Sequence, residues 1–132
     1  MTEYEPKILI AFGETIRGNE EIYRWLLNNG YPELAALSSA IRGSNEAFQW
    51  LMKNGFPQLA ALDSAIDNSV NAYAWLIENN HYVLVVFSDA CRNKPEAIAW
   101  LRENNLDIFI HLSIVIRQFR ESQTYDYHKM HF

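Results

Sequence analysis

The chain has 132 residues, 49% of them hydrophobic and 14% aromatic, with a net charge of −5 and one cysteine. That is one domain's worth of chain with ample core material. The acidity argues against nonspecific nucleic-acid binding, which needs a basic surface to release phosphate counterions, and a lone cysteine excludes an intrachain disulfide framework and fits a reducing compartment. The opening MTEYEPKILIAFGE carries acids where a secretion signal has bases, and no run approaches the roughly 20 apolar residues of a membrane span. A soluble cytoplasmic protein is expected, with no membrane contact.

Tryptophan falls at Trp25, Trp50, Trp75 and Trp100, evenly spaced by 25 residues. Each is followed by Leu (Leu26, Leu51, Leu76, Leu101) and, four residues on, by Asn (Asn29, Asn54, Asn79, Asn104). Stepping by the same interval aligns Leu9, Leu34, Leu59, Leu84 and Phe109, then Phe12, Leu37, Leu62, Phe87 and Leu112, then Ile16, Ile41, Ile66, Cys91 and Ile116. A fixed period of this length marks a stacked repeat protein. The expected fold is all-α: an α-solenoid of about five antiparallel helix pairs in one domain, with repeats at about 6–30, 31–55, 56–80, 81–105 and 106–132.

In the first repeat Gly18-Asn19 breaks the chain between two helices and Asn29-Gly30 ends the second. The second repeat is the template. Pro32 opens a helix where its missing N–H is not needed, Leu34, Leu37 and Ile41 recur at helical spacing, and Gly43-Ser44 supplies a terminator and an N-cap. Its second helix runs over about 45–53 and stops at Asn54-Gly55. The third repeat breaks at Asn68-Ser69 and stops at Asn79-Asn80; the fourth breaks at Asn93-Lys94-Pro95 and stops at Asn104-Asn105. The fifth has a good first helix, Asp107 to Gln118, and then degrades, with Tyr125-Asp126 in place of Trp-Leu. Terminal repeats lack a neighbour on one side and are expected to be atypical.

The order of short Ala-rich helix, Gly-Asn or Gly-Ser turn, and second helix ending in Trp-Leu-x-x-Asn-Gly resembles the ankyrin repeat, most closely in IRGNEEIYRWLLNNG, Ile16 to Gly30. The period is shorter than the 33 or so of ankyrin, which leaves no room for the β-hairpin finger, and the Thr-Pro-Leu-His start is missing. The resemblance implies stacked antiparallel helix pairs and a binding role.

Candidate chemistry is sparse. Cys91 shares a column with four isoleucines and reads as a small core hydrophobe. His111, with His128 and His131 in the tail, is the material for a C-terminal pocket, without the third ligand of fixed spacing that metal binding needs; no metal, cofactor or catalytic residue is assigned. Arg17, Arg42, Arg92 and Arg117 each precede a Glu by four residues (Glu21, Glu46, Glu96, Glu121), and in the third repeat both change together, to Asp67 and Asn71. That joint switch suggests pairs across the turn.

The outward side of the first helices is read as Gly13-Glu14-Arg17, Ser38-Ser39-Arg42, Asp63-Ser64-Asp67, Ser88-Asp89-Arg92 and Ser113-Ile114-Arg117, a continuous strip of short side chains. The expected function is a non-enzymatic scaffold, adaptor or inhibitor, binding another protein along this strip through Arg42, Asp63, Asp67, Asp89 and Arg92, with the acidic centre receiving a basic side chain. The alternatives are a ligand binder or enzyme using the C-terminal histidines, and a self-associating structural protein. Ile110 and Ile114 stand where earlier copies carry small or polar residues, so the tail, Tyr125 to Phe132, or a second protomer is expected to cover them.

Overall fold

The computed structural model describes residues 1–130, and side chains as far as Gln123. Among the described residues there are helices and no strands. They are α1 (Pro6–Ile16), α2 (Glu20–Asn28), α3 (Pro32–Ile41), α4 (Asn45–Lys53), α5 (Pro57–Ile66), α6 (Val70–Glu78), α7 (Tyr82–Cys91), α8 (Pro95–Glu103) and α9 (Asp107–Met130). The odd-numbered helices form an inner layer and the even-numbered ones an outer layer, each hairpin packing on the next.

Two columns of turn residues make the hairpins. Gly18, Gly43, Asn68 and Asn93 end the inner helices with φ of 98, 106, 71 and 63°. Gly30, Gly55, Asn80 and Asn105 end the outer ones with φ of 90, 88, 63 and 58°. Only Gly, and to a lesser degree Asn, enters this left-handed region cheaply. The next helix is then restarted by a cap: the side chains of Asn19, Ser44 and Ser69 accept from the N–H of Ile22, Ala47 and Ala72, and Pro95 opens α8. In the fifth copy these two positions are Gln118 and Phe119. Neither favours positive φ nor caps, so α9 does not break and continues through Met130. The described residues therefore form four hairpins and one long helix.

The inner helices close on themselves. α1 packs on α3, α3 on α5, α5 on α7, α7 on α9, and α9 returns to α1. Three columns fill the middle of this ring. Leu9, Leu34, Leu59, Leu84 and Phe109 are at most 4% exposed, and Phe12, Leu37, Leu62, Phe87 and Leu112 are all fully buried. Ile16, Ile66, Cys91 and Ile116 complete the third layer, with Ile41 partly buried. Phe87 and Phe109 meet edge to face at 5.4 Å, a favoured aromatic geometry.

The outer helices are anchored by leucine more than by tryptophan. Leu26, Leu51, Leu76 and Leu101 are fully buried, whereas Trp25 is 45% exposed and the other three tryptophans are partly buried. Trp25, Trp50 and Trp75 lie flat against the residue six ahead, Tyr31, Phe56 and His81, with ring centroids 6.2, 6.0 and 5.7 Å apart. Each ring thus seals the junction to the next repeat. The asparagine column closes the helix ends. Asn29, Asn54, Asn79 and Asn104 donate Nδ2 to the carbonyl of the tryptophan four residues back, at 2.8–2.9 Å, which satisfies a carbonyl that the helix end leaves open. Leu76→Ala should cost roughly 2–5 kcal/mol, and Trp25→Ala clearly less because its ring is half in water. Urea unfolding of the two variants checks the order.

Candidate functional site

The strip expected on the first helices is not one open surface. Its leading column is enclosed: Gly13 is buried, Ser38, Ser88 and Ser113 are at most 1% exposed, and Asp63 is partly buried. The reason is ring closure, since every inner helix has another against each flank. A Cβ on Gly13 would stand 3.0 Å from Leu112 Cδ2. The hydroxyls of Ser88 and Ser113 donate to carbonyls three residues back, of Val85 and Ile110, at 2.8 and 2.7 Å. The rest of the strip reaches the surface in two separate places.

The first place is the rim formed by the C-terminal ends of the inner helices. Arg42 donates to the carbonyl of Ile16 at 2.7 Å and lies 5.0 Å from the centre of the Phe119 ring. Asp67 receives an ion pair from Arg120, and Asp63 lies next to it, close enough to feel both charges. Phe119 and Arg120 belong to the part of α9 that runs past the length of the other inner helices. The acidic residues thus receive a basic side chain, and it comes from the chain's own last helix. Sequence reasoning missed Phe119 and Arg120; the signal available was Gln118-Phe119 standing in columns that break the helix elsewhere.

The second place is a groove over α7. Here Asp89 accepts from the Tyr73 hydroxyl at 2.9 Å and pairs with Lys94 at 3.3 Å. Tyr82 and Trp100 also line it. Arg92 does not join Asp89; it donates to the side-chain oxygen of Asn68. The expected Arg–Glu pairs across the turns are absent among the described residues. The arginines reach backward instead, Arg42 to Ile16, Arg92 to Asn68, and Arg117 to Asn93 and the Ala90 carbonyl. Each ties its repeat to the turn of the preceding one, which the guanidinium's forked donors suit well.

The remaining candidates separate clearly. Cys91 is 2% exposed in the ring centre, and burial pushes its thiol well above the usual range, which makes it a poor nucleophile. His111 is exposed on α9, while the side chains of His128 and His131 lie outside the described residues. Among the described residues no group of three or more His, Cys, Asp and Glu is placed to hold a metal ion, and no helix is long and apolar enough to cross a membrane. The backbone of α9 runs on through Met130; the side chains of residues 125–132, expected to cover Ile110 and Ile114, lie outside the described residues. In comparisons with family models, curated proteins and solved structures, nothing matches the chain.

Asp63 is the titratable group that this arrangement perturbs. Burial, and then the neighbouring Asp67 carboxylate, push it up to about 6, against the opposing pull of Arg120. The folded pKa is raised, so the associated stability is fully present below the unfolded value near 4 and is lost as pH rises through about 6. Asp63→Asn should therefore raise Tm by a few degrees at about pH 7.5, leave it nearly unchanged at about pH 4, and flatten the decline between them. Thermal melts of the two proteins across that range check this.

Proposed function

We propose that the protein is a non-enzymatic, ankyrin-like scaffold of the cytoplasm that binds another protein on its outer layer. The observation that carries this reading is a row of exposed aliphatic side chains at one repeat position. Leu27, Met52 and Ile77, on α2, α4 and α6, are 44, 50 and 53% exposed. Single exposed apolar residues need no explanation, but these recur at one repeat position on three successive outer helices, which a merely solvated position has no reason to do. The row ends at the fourth repeat, where Arg102 stands.

At Leu27 the row meets a groove of about 340 Å³ between α2 and α4, lined also by Tyr23, Ala36, Ser39, Ala47 and Trp50. Tyr23 and Trp50 supply the amphipathic aromatic surface that dominates interface energetics, and the Ser39 hydroxyl already donates to the Tyr23 oxygen at 3.1 Å, which fixes that wall. Asp67 and Arg92, exposed on the rim, contribute charges that steer a partner more than they specify it. Repeat stacks serve as extended binding surfaces for the same geometric reason: each repeat presents the same position in turn.

The test is affinity capture from the native host with the wild type and with Met52→Asp/Ile77→Asp, after matching their Tm values. A stoichiometric protein captured by the wild type and lost from the double variant is the expected result. Capture of the same proteins by both would remove this surface from consideration, and a copurifying small molecule without any protein would favour the ligand-binding alternative.

A further inference from the structure

The ring has five inner helices, and consecutive pairs are bridged on the outside by an outer helix. α2 lies over the seam of α1 and α3, α4 over α3 and α5, α6 over α5 and α7, and α8 over α7 and α9. The fifth seam, between α9 and α1, has both walls and no bridging helix among the described residues. We propose that this empty seat receives a short amphipathic helix from a partner protein, a site separate from the row Leu27–Met52–Ile77.

The side chains at the seam show what it lacks. Ile10 is 48% exposed, whereas its equivalents Ala35, Ala60 and Val85 are 0, 0 and 5% exposed in the seams that are bridged. On α9, His111 is exposed, where its equivalents are buried in α3 and α7 (Ala36 9%, Val86 7%) and partly buried in α1 and α5 (Ala11, Ala61). A terminal face meant for water carries polar residues in a repeat stack; this one carries Ile10, an aliphatic larger than the alanines and valine that the bridged seams bury at that position. Direct packing of α9 on α1 makes the walls a preformed pair, and Gly13, against Leu112, allows the close approach.

The four filled seats state the chemistry of the occupant. In each, a helix of nine residues places a fully buried leucine at the seam, with Ile or Ala four residues earlier (Ile22, Ala47, Ala72, Ala97). The chain's own candidate is disqualified. In the 25-residue register Asp126 falls where those leucines stand, and a carboxylate in so dry a position costs several kcal/mol. The same argument excludes residues 120–128 of a second copy. The occupant is therefore a leucine-centred helix of another protein, docking helix-in-groove.

The probe is a fluorescein-labelled peptide with the sequence of residues 44–55, stapled between the outward positions of Gln49 and Lys53 because isolated helices this short are marginal in water. It is titrated into the full chain by anisotropy. Saturable one-to-one binding is expected, weakened at least tenfold both by Leu51→Asp in the peptide and by Ile10→Asp in a protein of unchanged Tm. Three outcomes overturn the proposal: no saturation below about 1 mM by stapled peptides of any of the four outer helices, binding unaffected by Ile10→Asp, or sedimentation showing that the chain self-associates through this face and that Ile10→Asp disperses it. Met52→Asp/Ile77→Asp should leave the peptide affinity unchanged, so failure here and failure of the outer-row reading are read independently.

Discussion

Everything in this molecule depends on the contact between its first and last inner helices. A five-helix ring can bury three apolar side chains from every helix in one shared centre only if the fifth lies against the first. Without that contact Phe12, Leu112 and Phe109, now at most 1% exposed, would line an edge open to water. Gly13 is the local concession to closure. Glycine inside a helix costs about 1 kcal/mol relative to alanine, and its equivalents are Ser38, Asp63, Ser88 and Ser113. A Cβ added at Gly13 would face Leu112 Cδ2 at 3.0 Å.

Closure also decides where binding can occur. An open stack offers a concave surface made by its inner helices; here that surface is turned inward and filled with leucine, isoleucine and phenylalanine. What faces water is the outer layer, its grooves, and the rim crossed by α9. The rim is largely satisfied internally, with Arg42 against Phe119 and Asp67 against Arg120. Outer-layer aliphatics and the unbridged seam have no such internal cover, and both proposed sites rest on that contrast.

The arginine column shows how small substitutions follow the turn chemistry. Where the preceding turn is Gly18, Arg42 reaches the main-chain carbonyl of Ile16. Where it is Asn68 or Asn93, Arg92 and Arg117 take the side-chain oxygen. In the third repeat the position is Asp67, which turns to Arg120. The glycine or asparagine that ends α1, α5 and α7 thus also sets how the following repeat is tied down.

The 25-residue period, the helical spacing within it and the Gly, Asn, Ser and Pro punctuation were enough to determine four helix pairs, their boundaries and most of the core, because these are local properties of the chain; the fifth pair expected from the period is instead the single helix α9. Leu9, Phe12 and Ile16 and their equivalents were legible as core columns for that reason. Which flank of each helix meets its neighbour was not. Ser38 and Ser88 looked like surface because serine is usually wet, and only the ring shows them wedged between helices. Glu46 looked like the partner of Arg42 because the two are close in sequence, while the carbonyl of Ile16 is closer in space. Closure itself accumulates from the rotation at every repeat, a fifth of a turn on average, set by the joint packing of side chains from several helices. No single segment encodes that sum, so the tertiary structure alone decided that the stack ends where it begins and that, among the described residues, one of its five seams stays unbridged.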